Sequence, residues 1–409
     1  MNKKIYSLLL LSFASSAHAQ GFWDDSKLVL DTRVLSYDRD WRSGSGQSYG
    51  QETASLTQLK YQSGYTPGLV GFGFDFNAMA ALKLNSSKEH SGVLLKKHGD
   101  GEAYNYAGKF MPTFKTKVSN TVINAGSMVS YLPVLLYDGA VLPQVYRGVR
   151  LSSQEIPNLT LNAGHFTEVM NRSATHYTPI QLATTNGRYK TINSRKNFNY
   201  LGGEYQFTDL ALNARYYYAQ FVDVYDQQFV GATKKWQVGP GALTTDFRGF
   251  YSKGDGSHLA GKIDNTLYSG LLSYSLGVQK LNVSYQRSLG DTAFPYISGT
   301  DPYLTNYQLI GSFSETGEHS WKVQYDYNFR NLGIPGLTIS NMYISGGGIE
   351  RSGYTGKEWE RNTDITYSFD PHGIFKNVRL KWRNGTYRSN FTRNVDENRF
   401  FIFYSIALK

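Results

Sequence analysis

The sequence contains no cysteine, only 11 prolines among 409 residues, and no apolar run beyond its first residues that could cross a membrane as a helix. An exported chain without cysteine has no disulfides, so its stability must come from another source. A helical span needs roughly 20 consecutive apolar residues. The sequence therefore excludes an α-helical membrane protein.

The first residues have the layout of a secretory signal peptide. A basic start is followed by an apolar run from Ile5 to Phe13 and by a small-x-small cleavage site at Ala17-His18-Ala19. The apolar run is too short to anchor the chain in a membrane. We expect residues 1–19 to be a signal peptide cleaved near Ala19, and residues 20–409 to form a single domain.

Much of the remaining sequence consists of segments in which apolar and polar residues alternate. The clearest segment, from Asn377 to Arg388, contains three apolar and three basic residues in strict alternation: Val378, Arg379, Leu380, Lys381, Trp382 and Arg383. Because successive side chains of a strand point to opposite faces, one face of this strand would be cationic and the other apolar. A barrel wall in a membrane requires that arrangement, with apolar side chains against lipid and polar ones towards a watery lumen. The segment predicts a pore that favours anions.

Similar alternation recurs along the chain, for example in residues 70–77, 114–119 and 159–164. Each segment is a weak signal alone, but their number favours a barrel. Glycine (41) and tyrosine (32) are abundant; glycine suits turns and crowded lumen walls, and tyrosine suits the membrane interfaces. A closed barrel leaves no strand edge unpaired, which supplies the stability that disulfides do not.

The alternating segments are joined by two kinds of connection. Short connections occur at residues 63–64, 331–333 and 370–373, and long polar ones at residues 88–102, 171–194, 290–306 and 345–357. Short turns at one rim and long loops at the other are typical of outer-membrane barrels. About 390 mature residues, at roughly ten per strand plus loops, predict an all-β antiparallel barrel of about 16 to 18 strands.

One segment interrupts the alternation. Residues 131–144 are mostly apolar and contain Pro133 and Pro143, and proline is unfavourable inside a central strand. We therefore predict a loop that folds into the lumen, with its apolar side packed on the wall. The side chains expected at this constriction are Tyr131, Pro133, Tyr137 and Asp138.

Other functions fit the sequence less well. The net charge of +10 also occurs in nucleic-acid-binding proteins, but an exported chain meets little nucleic acid, and these basic residues lie in strand-spaced rows. The eight histidines are scattered, and no spacing singles out a hydrolase triad. No nucleotide, metal or cofactor site is predicted. An outer-membrane barrel hydrolase and a structural or adhesive barrel stand as alternatives, although the cationic row argues against a structural barrel.

Several stretches of the sequence resemble the OprD family of substrate-specific outer-membrane porins. They are Ser63-Gly64-Tyr65-Thr66-Pro67-Gly68, Gly71-Phe72-Gly73, residues 132–138 with 142–148, Tyr216-Tyr217-Tyr218-Ala219-Gln220, residues 290–296, Asp301-Pro302-Tyr303-Leu304 and Trp359-Glu360-Arg361. The resemblance implies a monomeric barrel of 18 strands, with a loose trimer as the other arrangement, and an inward-folded third loop. It also implies a row of basic residues that guides a substrate carboxylate. The positions that match this row are Arg33, Lys60, Arg147, Lys381, Arg383 and Arg399, to which the alternating segment adds Arg379.

The resemblance further implies partners and substrates. The partners are outer-membrane lipid and lipopolysaccharide, the insertion machinery, and small-molecule carboxylates. Chains of the family end with an aromatic residue that this machinery reads, whereas this chain ends with Lys409. We expect normal insertion at a lower efficiency. Aromatic or small monocarboxylates are the favoured substrates. The alternative is basic amino acids and small peptides, which would need an acidic pocket, for which Asp138, Asp291 and Asp301 are candidates. Asp291 and Asp301 also suit turns.

Overall fold

The computed structural model describes residues 21–137, 143–172 and 174–409. The predicted signal peptide and Asp138 lie outside these residues. Within them the strands are β1 (Lys27–Trp41), β2 (Tyr49–Gln62), β3 (Val70–Ser86), β4 (Tyr106–Val118), β5 (Thr121–Met128), β6 (Tyr131–Leu132), β7 (Leu135–Leu136), β8 (Val145–Ser153), β9 (Leu159–Met170), β10 (Phe198–Phe207), β11 (Leu212–Phe221), β12 (Tyr225–Val238), β13 (Gly241–Gly254), β14 (Asp264–Leu276), β15 (Gln279–Leu289), β16 (His319–Asn328), β17 (Leu337–Arg351), β18 (Tyr354–Ser368), β19 (Val378–Ser389) and β20 (Val395–Ala407). Two short 3-10 helices span Thr185–Gly187 and Phe329–Leu332. No helix in the described ranges is long and apolar enough to cross a membrane.

Eighteen of these strands form one closed antiparallel barrel. Each strand pairs with its neighbours in the chain, and β1 pairs with both β2 and β20, which closes the sheet. Closure gives every ladder N–H and C=O a partner, which a wall in lipid requires. β6 and β7 form a separate small hairpin in the connection between β5 and β8. The predicted all-β barrel of 18 strands is confirmed.

The two faces of the wall differ as the alternation predicted. On β4, Phe110 and Phe114 are exposed on the outer surface, whereas Lys109 and Met111 are buried. The same contrast appears on β19, where Trp382 is exposed and its neighbours Lys381 and Arg383 are half-buried. The outer face is therefore largely apolar, and polar side chains lie on the inner face.

The connections also divide between the two rims. At the rim that contains both ends of the barrel, the connections are short, and we call it the short-turn rim. Long connections at the opposite rim, the long-loop rim, comprise residues 87–105, 129–144, 171–197 and 290–318.

One predicted loop is wrong. Residues 345–357 continue the β17–β18 hairpin, in which Glu350 pairs with Thr355 and Arg351 with Tyr354. The glycines at 346–348 resembled a loop in the sequence. They instead accommodate a shift of register between Gly346 and Ile349, and Gly348 has a φ of 71°, which glycine adopts without strain.

Part of the barrel interior is filled by packed side chains. Wall residues of β8 to β14, such as Phe166, Tyr217 and Phe229, form one apolar cluster with side chains from three long loops, such as Leu135 and Ile180. Loop-to-loop bridges hold these loops together: Leu136 with Asp301, and Leu182 with Ile297. Each fully buried large apolar side chain contributes about 1.5–3 kcal/mol. Space within the barrel is consequently left beside the opposite wall.

Candidate functional site

Basic side chains form a row on two adjacent strands, β19 and β20, in the part of the wall that the apolar cluster leaves uncovered. On β19, Arg379, Lys381 and Arg383 share one face, and they pair with Phe403, Phe401 and Arg399 of β20. Directly paired residues of an antiparallel sheet lie on the same face. Since the intervening Trp382 is exposed on the outer surface, the four basic side chains are on the inner face.

The row continues onto the next two strands. Arg33 of β1 pairs with Phe403 of β20 and with Leu56 of β2. Lys60, four residues beyond Leu56 on the same face of β2, forms an ion pair with Asp31 at 2.6 Å. Six of the seven predicted basic residues thus lie on the adjoining strands β19, β20, β1 and β2.

Arg147 lies apart from the other six. It is on β8, next to a register shift between Arg147 and Gly148. Its guanidinium forms an ion pair with Glu168 at 3.0 Å and lies over the ring of Tyr177, 3.9 Å from the ring centre. Arg150, which the sequence analysis missed, instead lines a cavity together with Lys60. Arg147 and Arg150 are three residues apart on β8, which pairs with β5 without a register shift, and side chains at an odd spacing on a strand point to opposite faces.

Carboxylates on the inner face hold several of these cations. Asp364 of β18 accepts hydrogen bonds from Arg383 Nη2 and from Lys381 Nζ, each at 2.7 Å. Glu397 of β20 lies between Arg399 at 2.6 Å and Arg39 at 3.2 Å. Sequence reasoning missed Arg39 and both carboxylates. The signal that could have found them is the same alternation, since Arg39 is on the face of Arg33, and Glu397 on that of Arg399.

Arg33 and Arg379 have a different environment. Their guanidinium carbons lie 5.7 Å and 4.3 Å from the ring centre of Phe403, within the range of cation–π attraction. Phe403 stacks on Phe401 with 5.4 Å between ring centres. Among the residues that the structure describes, no carboxylate forms an ion pair with either arginine.

Three cavities adjoin parts of the basic row. A cavity of about 350 Å³ is lined by Arg39, Arg383 and Arg399 together with Leu35 and Leu56 of the same stretch of wall. It adjoins a polar cavity of about 260 Å³, which also contains Arg383 and includes Asp364. Nearer the short-turn rim, a cavity of about 520 Å³ is lined by residues that include Lys60. The arrangement offers a small anion cationic partners along one side of the barrel.

The segment predicted to form the constriction lies partly in the apolar cluster. Pro133 is buried, and its neighbours Val134 and Leu135 belong to the cluster. Tyr131 lines the cavity nearer the short-turn rim and meets Tyr137 edge-on, with 5.7 Å between ring centres. Asp138 is outside the described residues.

The structure does not bring Asp291 and Asp301 into one pocket. Asp291 is largely exposed and forms an ion pair with Lys262. The hydrogen bond and the charge of Lys262 hold the pKa of Asp291 below its ordinary value. Asp301 lines the cavity of about 350 Å³ with Arg383 and Arg399. Only one of the two candidate acids therefore adjoins the basic row.

A buried ion-pair cluster ties two long loops to the barrel wall. Glu315 accepts hydrogen bonds from Arg188 Nη2 at 2.7 Å and from Asn186 Nδ2 at 2.9 Å, and it pairs with Arg351 of β17 at 3.0 Å. Burial alone would raise the pKa of Glu315, but the charge of Arg188 and these hydrogen bonds hold it below its ordinary value. The sequence gives no signal for this cluster, because Arg188 and Glu315 are 127 residues apart.

The described ranges contain no group of three or more His, Cys, Asp or Glu that could hold a metal ion.

Known proteins share both the sequence and the fold of this chain. The model of the family described as outer membrane porin, OprD family, matches residues 20–408. The porin-like protein GalP of Pseudomonas putida is 33% identical over 405 residues, which cover 98% of this chain and 96% of GalP. The structure of OccK9 (OpdG) of Pseudomonas aeruginosa has a TM-score of 0.90 at 35% identity and covers 95% of this chain and 100% of that one. The structure of OpdK of the same species with vanillate has a TM-score of 0.88 at 31% identity. The match covers 95% of this chain and 100% of the OpdK chain.

These similarities decide the class of the protein. The family match extends over nearly the whole chain, and the related proteins are porins, which are channels and not enzymes. The closed 18-stranded barrel is also the fold of the solved channels. Such barrels reside in the Gram-negative outer membrane. The chain therefore belongs to the OprD family of outer membrane porins.

Proposed function

We propose that this porin conducts small carboxylates by passive, selective diffusion, and that the substrate carboxylate passes along six basic residues. We call them the basic ladder: Arg33, Lys60, Arg379, Lys381, Arg383 and Arg399. The single observation that carries the proposal is that these residues occupy the inner face of four adjoining strands, where Lys60, Arg383 and Arg399 also line cavities. Arg147 would act separately, beside Tyr177.

The ladder addresses the main cost of carrying a carboxylate through a narrow pore. A carboxylate loses favourable hydration when it enters such a pore, and fixed cations offset that loss. At an effective dielectric constant near 20, one cation at 4 Å contributes about 4 kcal/mol before screening. Because saline screens charges beyond about 8 Å, each rung acts locally, and the carboxylate must move between rungs in short steps.

We propose that residues 131–144 form the constriction. Support comes from the packing of Val134 and Leu135 in the apolar cluster, and from the bridge between Leu136 and Asp301 of another long loop. Tyr131 and Tyr137, with Asp138, would then narrow the passage. The filled part of the lumen leaves the solute beside the basic ladder.

The favoured substrates are monocarboxylates with a compact apolar body, such as aromatic acids. The cavity of about 350 Å³ is lined by Arg383 and Arg399 and also by Leu35 and Leu56 of the adjoining strands, so a carboxylate and an apolar ring could each meet a suitable surface. OpdK, a structural relative, was solved with vanillate.

A second candidate is the zwitterionic or basic amino acid. Its carboxylate would meet Arg383 and its ammonium group Asp301, which lines the same cavity. An acidic pocket made by Asp291 and Asp301 together is not part of this candidate, because Asp291 is engaged by Lys262. Swelling of proteoliposomes in benzoate, arginine, lysine and neutral sugars distinguishes the candidates. Faster entry of arginine than of benzoate would favour the amino acid.

The ladder itself is tested by replacing two rungs. Lys381→Gln together with Arg383→Gln should lower benzoate flux in the swelling assay while the barrel stays folded. The matched control is Arg388→Gln, since Arg388 is on the same strand but pairs with Asp396 on its other face. Unchanged benzoate flux in the double variant would show that the ladder does not guide the substrate.

Further features complete the proposal. Residues 1–19 would be removed as a signal peptide near Ala19, and residues 20–409 would act as one domain. The pore would be monomeric, with its apolar outer face in contact with lipid and lipopolysaccharide, after assembly by the outer-membrane insertion machinery.

A further inference from the structure

Two acidic side chains of the inner wall are each shared by two cations. Asp364 is bound by Lys381 and Arg383, and Glu397 by Arg39 and Arg399. Each group of two cations and one carboxylate carries a net charge of +1, since 2 − 1 = 1. We call these two groups the carboxylate clasps.

The clasps are firmly built. Arg383 donates to Asp364 through Nε at 2.8 Å as well as through Nη2 at 2.7 Å, so the carboxylate is held by a planar fork. Glu397 is fully buried, and the Tyr37 hydroxyl also donates to it at 2.6 Å. Arg39, Arg383 and Arg399, which border the cavity of about 350 Å³, are therefore already bound to carboxylates of the wall.

We propose that Asp364 and Glu397 are resident anions that an incoming carboxylate partly displaces, and that they set how long the substrate stays bound. This inference rests on the proposed function of the basic ladder. An entering carboxylate competes with Asp364 for the donors of Arg383 and Lys381 and does not meet bare cations. When the substrate moves on, the resident carboxylate takes its place again. The cations thus exchange one partner for another and are never left without one.

Competition between the resident and the substrate carboxylates for the same cations should speed the release of the substrate. Two unpaired cations would bind a carboxylate tightly and release it slowly, whereas a channel requires binding that is weak enough to permit exit. Because a hydrogen bond between charged groups is stronger than one between neutral groups, the returning resident carboxylate promotes release. The clasps therefore favour a high flux over a high affinity.

Two other rungs of the basic ladder, Arg33 and Arg379, lack a resident carboxylate within the described ranges. Arg33 and Arg379 lie on Phe403, and no described carboxylate forms an ion pair with them. The clasps thus distinguish Lys381, Arg383 and Arg399 from Arg33 and Arg379 within the ladder. A carboxylate shared by two cations also occurs elsewhere on the wall, where Asp246 binds Arg215 and Arg248.

The test measures how long benzoate blocks single channels in planar bilayers. Asp364→Asn removes the resident charge and should lengthen the mean residence time of benzoate about tenfold, which corresponds to the loss of one charged hydrogen-bond competitor. The maximal benzoate flux at high concentration should fall. Folding is checked by heat-modifiable migration on gels.

Asp396→Asn is the matched control. Asp396 is also shared by two cations, Arg388 at 2.8 Å and Arg42 at 2.7 Å, but it is on the other face of the wall. The control makes the same change in net charge and should leave the residence time unaltered. An equal lengthening in both variants would refute the inference, because it would show an effect of overall charge.

An unchanged or shorter residence time in Asp364→Asn would also overturn the inference, since Asp364 would then only position Arg383. If Asp364→Asn does not fold, Glu397→Gln provides the same readout at the second clasp. Failure of the proposed function is a separate outcome. It is detected when the double variant of Lys381 and Arg383 described above carries benzoate normally.

Discussion

Two neighbouring rungs of the basic ladder bind the same carboxylate in different ways. Arg383 contacts both oxygens of Asp364, through Nε at 2.8 Å and Nη2 at 2.7 Å, whereas Lys381 contacts one oxygen at 2.7 Å. The guanidinium fork fixes the orientation of a carboxylate, and an ammonium group acts as a point charge. The two rungs should therefore differ in selectivity although their charges are equal.

Arg383→Lys should weaken the selection of carboxylates without abolishing it. The charge is kept, but the two-point contact is lost, and we expect the benzoate affinity to fall about three- to tenfold. Current block by benzoate, measured against block by an equal concentration of sulfate, reports the change. Arg388→Lys on the outer face is the control. An equal loss of benzoate and sulfate block would show that geometry plays no part.

The sequence revealed the rungs but not their partners. A period of two residues is visible in Arg379, Lys381 and Arg383, whatever their neighbours are. The pairing of Arg383 with Asp364 depends instead on the register across the connection at residues 369–377, and the sequence does not show where that connection bends. Arg147 and Arg150 are three residues apart and point to opposite faces of β8, and the sequence alone does not show which of them lines an interior cavity.

At the scale of whole elements, the two longest loops depend on each other. Arg188 belongs to the connection between β9 and β10, and Glu315 to that between β15 and β16. Both side chains are almost fully buried, and Arg351 joins them to the wall. Removal of one partner of a buried ion pair typically costs about 3–5 kcal/mol, because it leaves a charge without compensation.

The loops should loosen in acid. The pKa of Glu315 in the folded protein is below its ordinary value of 4.5, so its ion pairs stabilise the loops fully above that pH. The stabilisation is lost as the pH falls below 4.5 and through the lowered pKa. Hydrogen exchange of residues 185–188 and 312–318 should therefore accelerate in acid, after correction for the intrinsic rate.

Glu315→Gln is the reference for this pH dependence. It should show fast exchange in the same residues at neutral pH and little further change in acid. A wild-type protein whose corrected exchange is the same at pH 7 and at pH 3 would contradict the expected role of Glu315.

Removal of the proposed constriction should widen the pore. Replacement of residues 133–143 by a short glycine–serine link removes Val134 and Leu135 from the apolar cluster. We expect a higher single-channel conductance in chloride and a smaller difference between benzoate and sugar entry. An unaltered conductance would place the narrowest part of the pore elsewhere.

The sequence predicted the strands better than their ends. The hydrophobic alternation identified the wall, because lipid imposes it over the whole membrane-spanning length. It failed at residues 345–357, where the hairpin of β17 and β18 continues beyond the alternating region. Polar and glycine residues there are compatible with either a loop or a strand in water, and cross-strand pairing decides between them.

The molecule as a whole is an asymmetric channel. Apolar side chains fill the interior beside β8 to β14, and the cavities adjoin β18, β19, β20, β1 and β2. If the solute follows the basic ladder as proposed, it passes beside the wall that bears the cations and not along the barrel axis at a distance from them. Alternation alone could not predict this, because it gives every strand an inner face but does not say which inner faces are covered by loops.

Carboxylate binding should weaken as salt increases. The ladder acts through charges at partly exposed positions, and the screening length falls from about 10 Å at 0.1 M salt to about 3 Å at 1 M. The half-blocking concentration of benzoate should therefore rise markedly over this range. Block by a neutral sugar of similar size is the control, and it should change little. Salt-independent benzoate block would show that apolar contacts dominate.

The basic ladder lies across the place where the two ends of the barrel join. β19 and β20 are the last strands of the chain, β1 and β2 are the first, and Arg399 and Arg33 come together only when β20 pairs with β1. A slip of one residue at that seam would turn one half of the ladder towards the lipid. If the solute follows the ladder as proposed, its route is complete only once β20 has paired with β1, and a barrel that is open at this seam has no intact path for carboxylates.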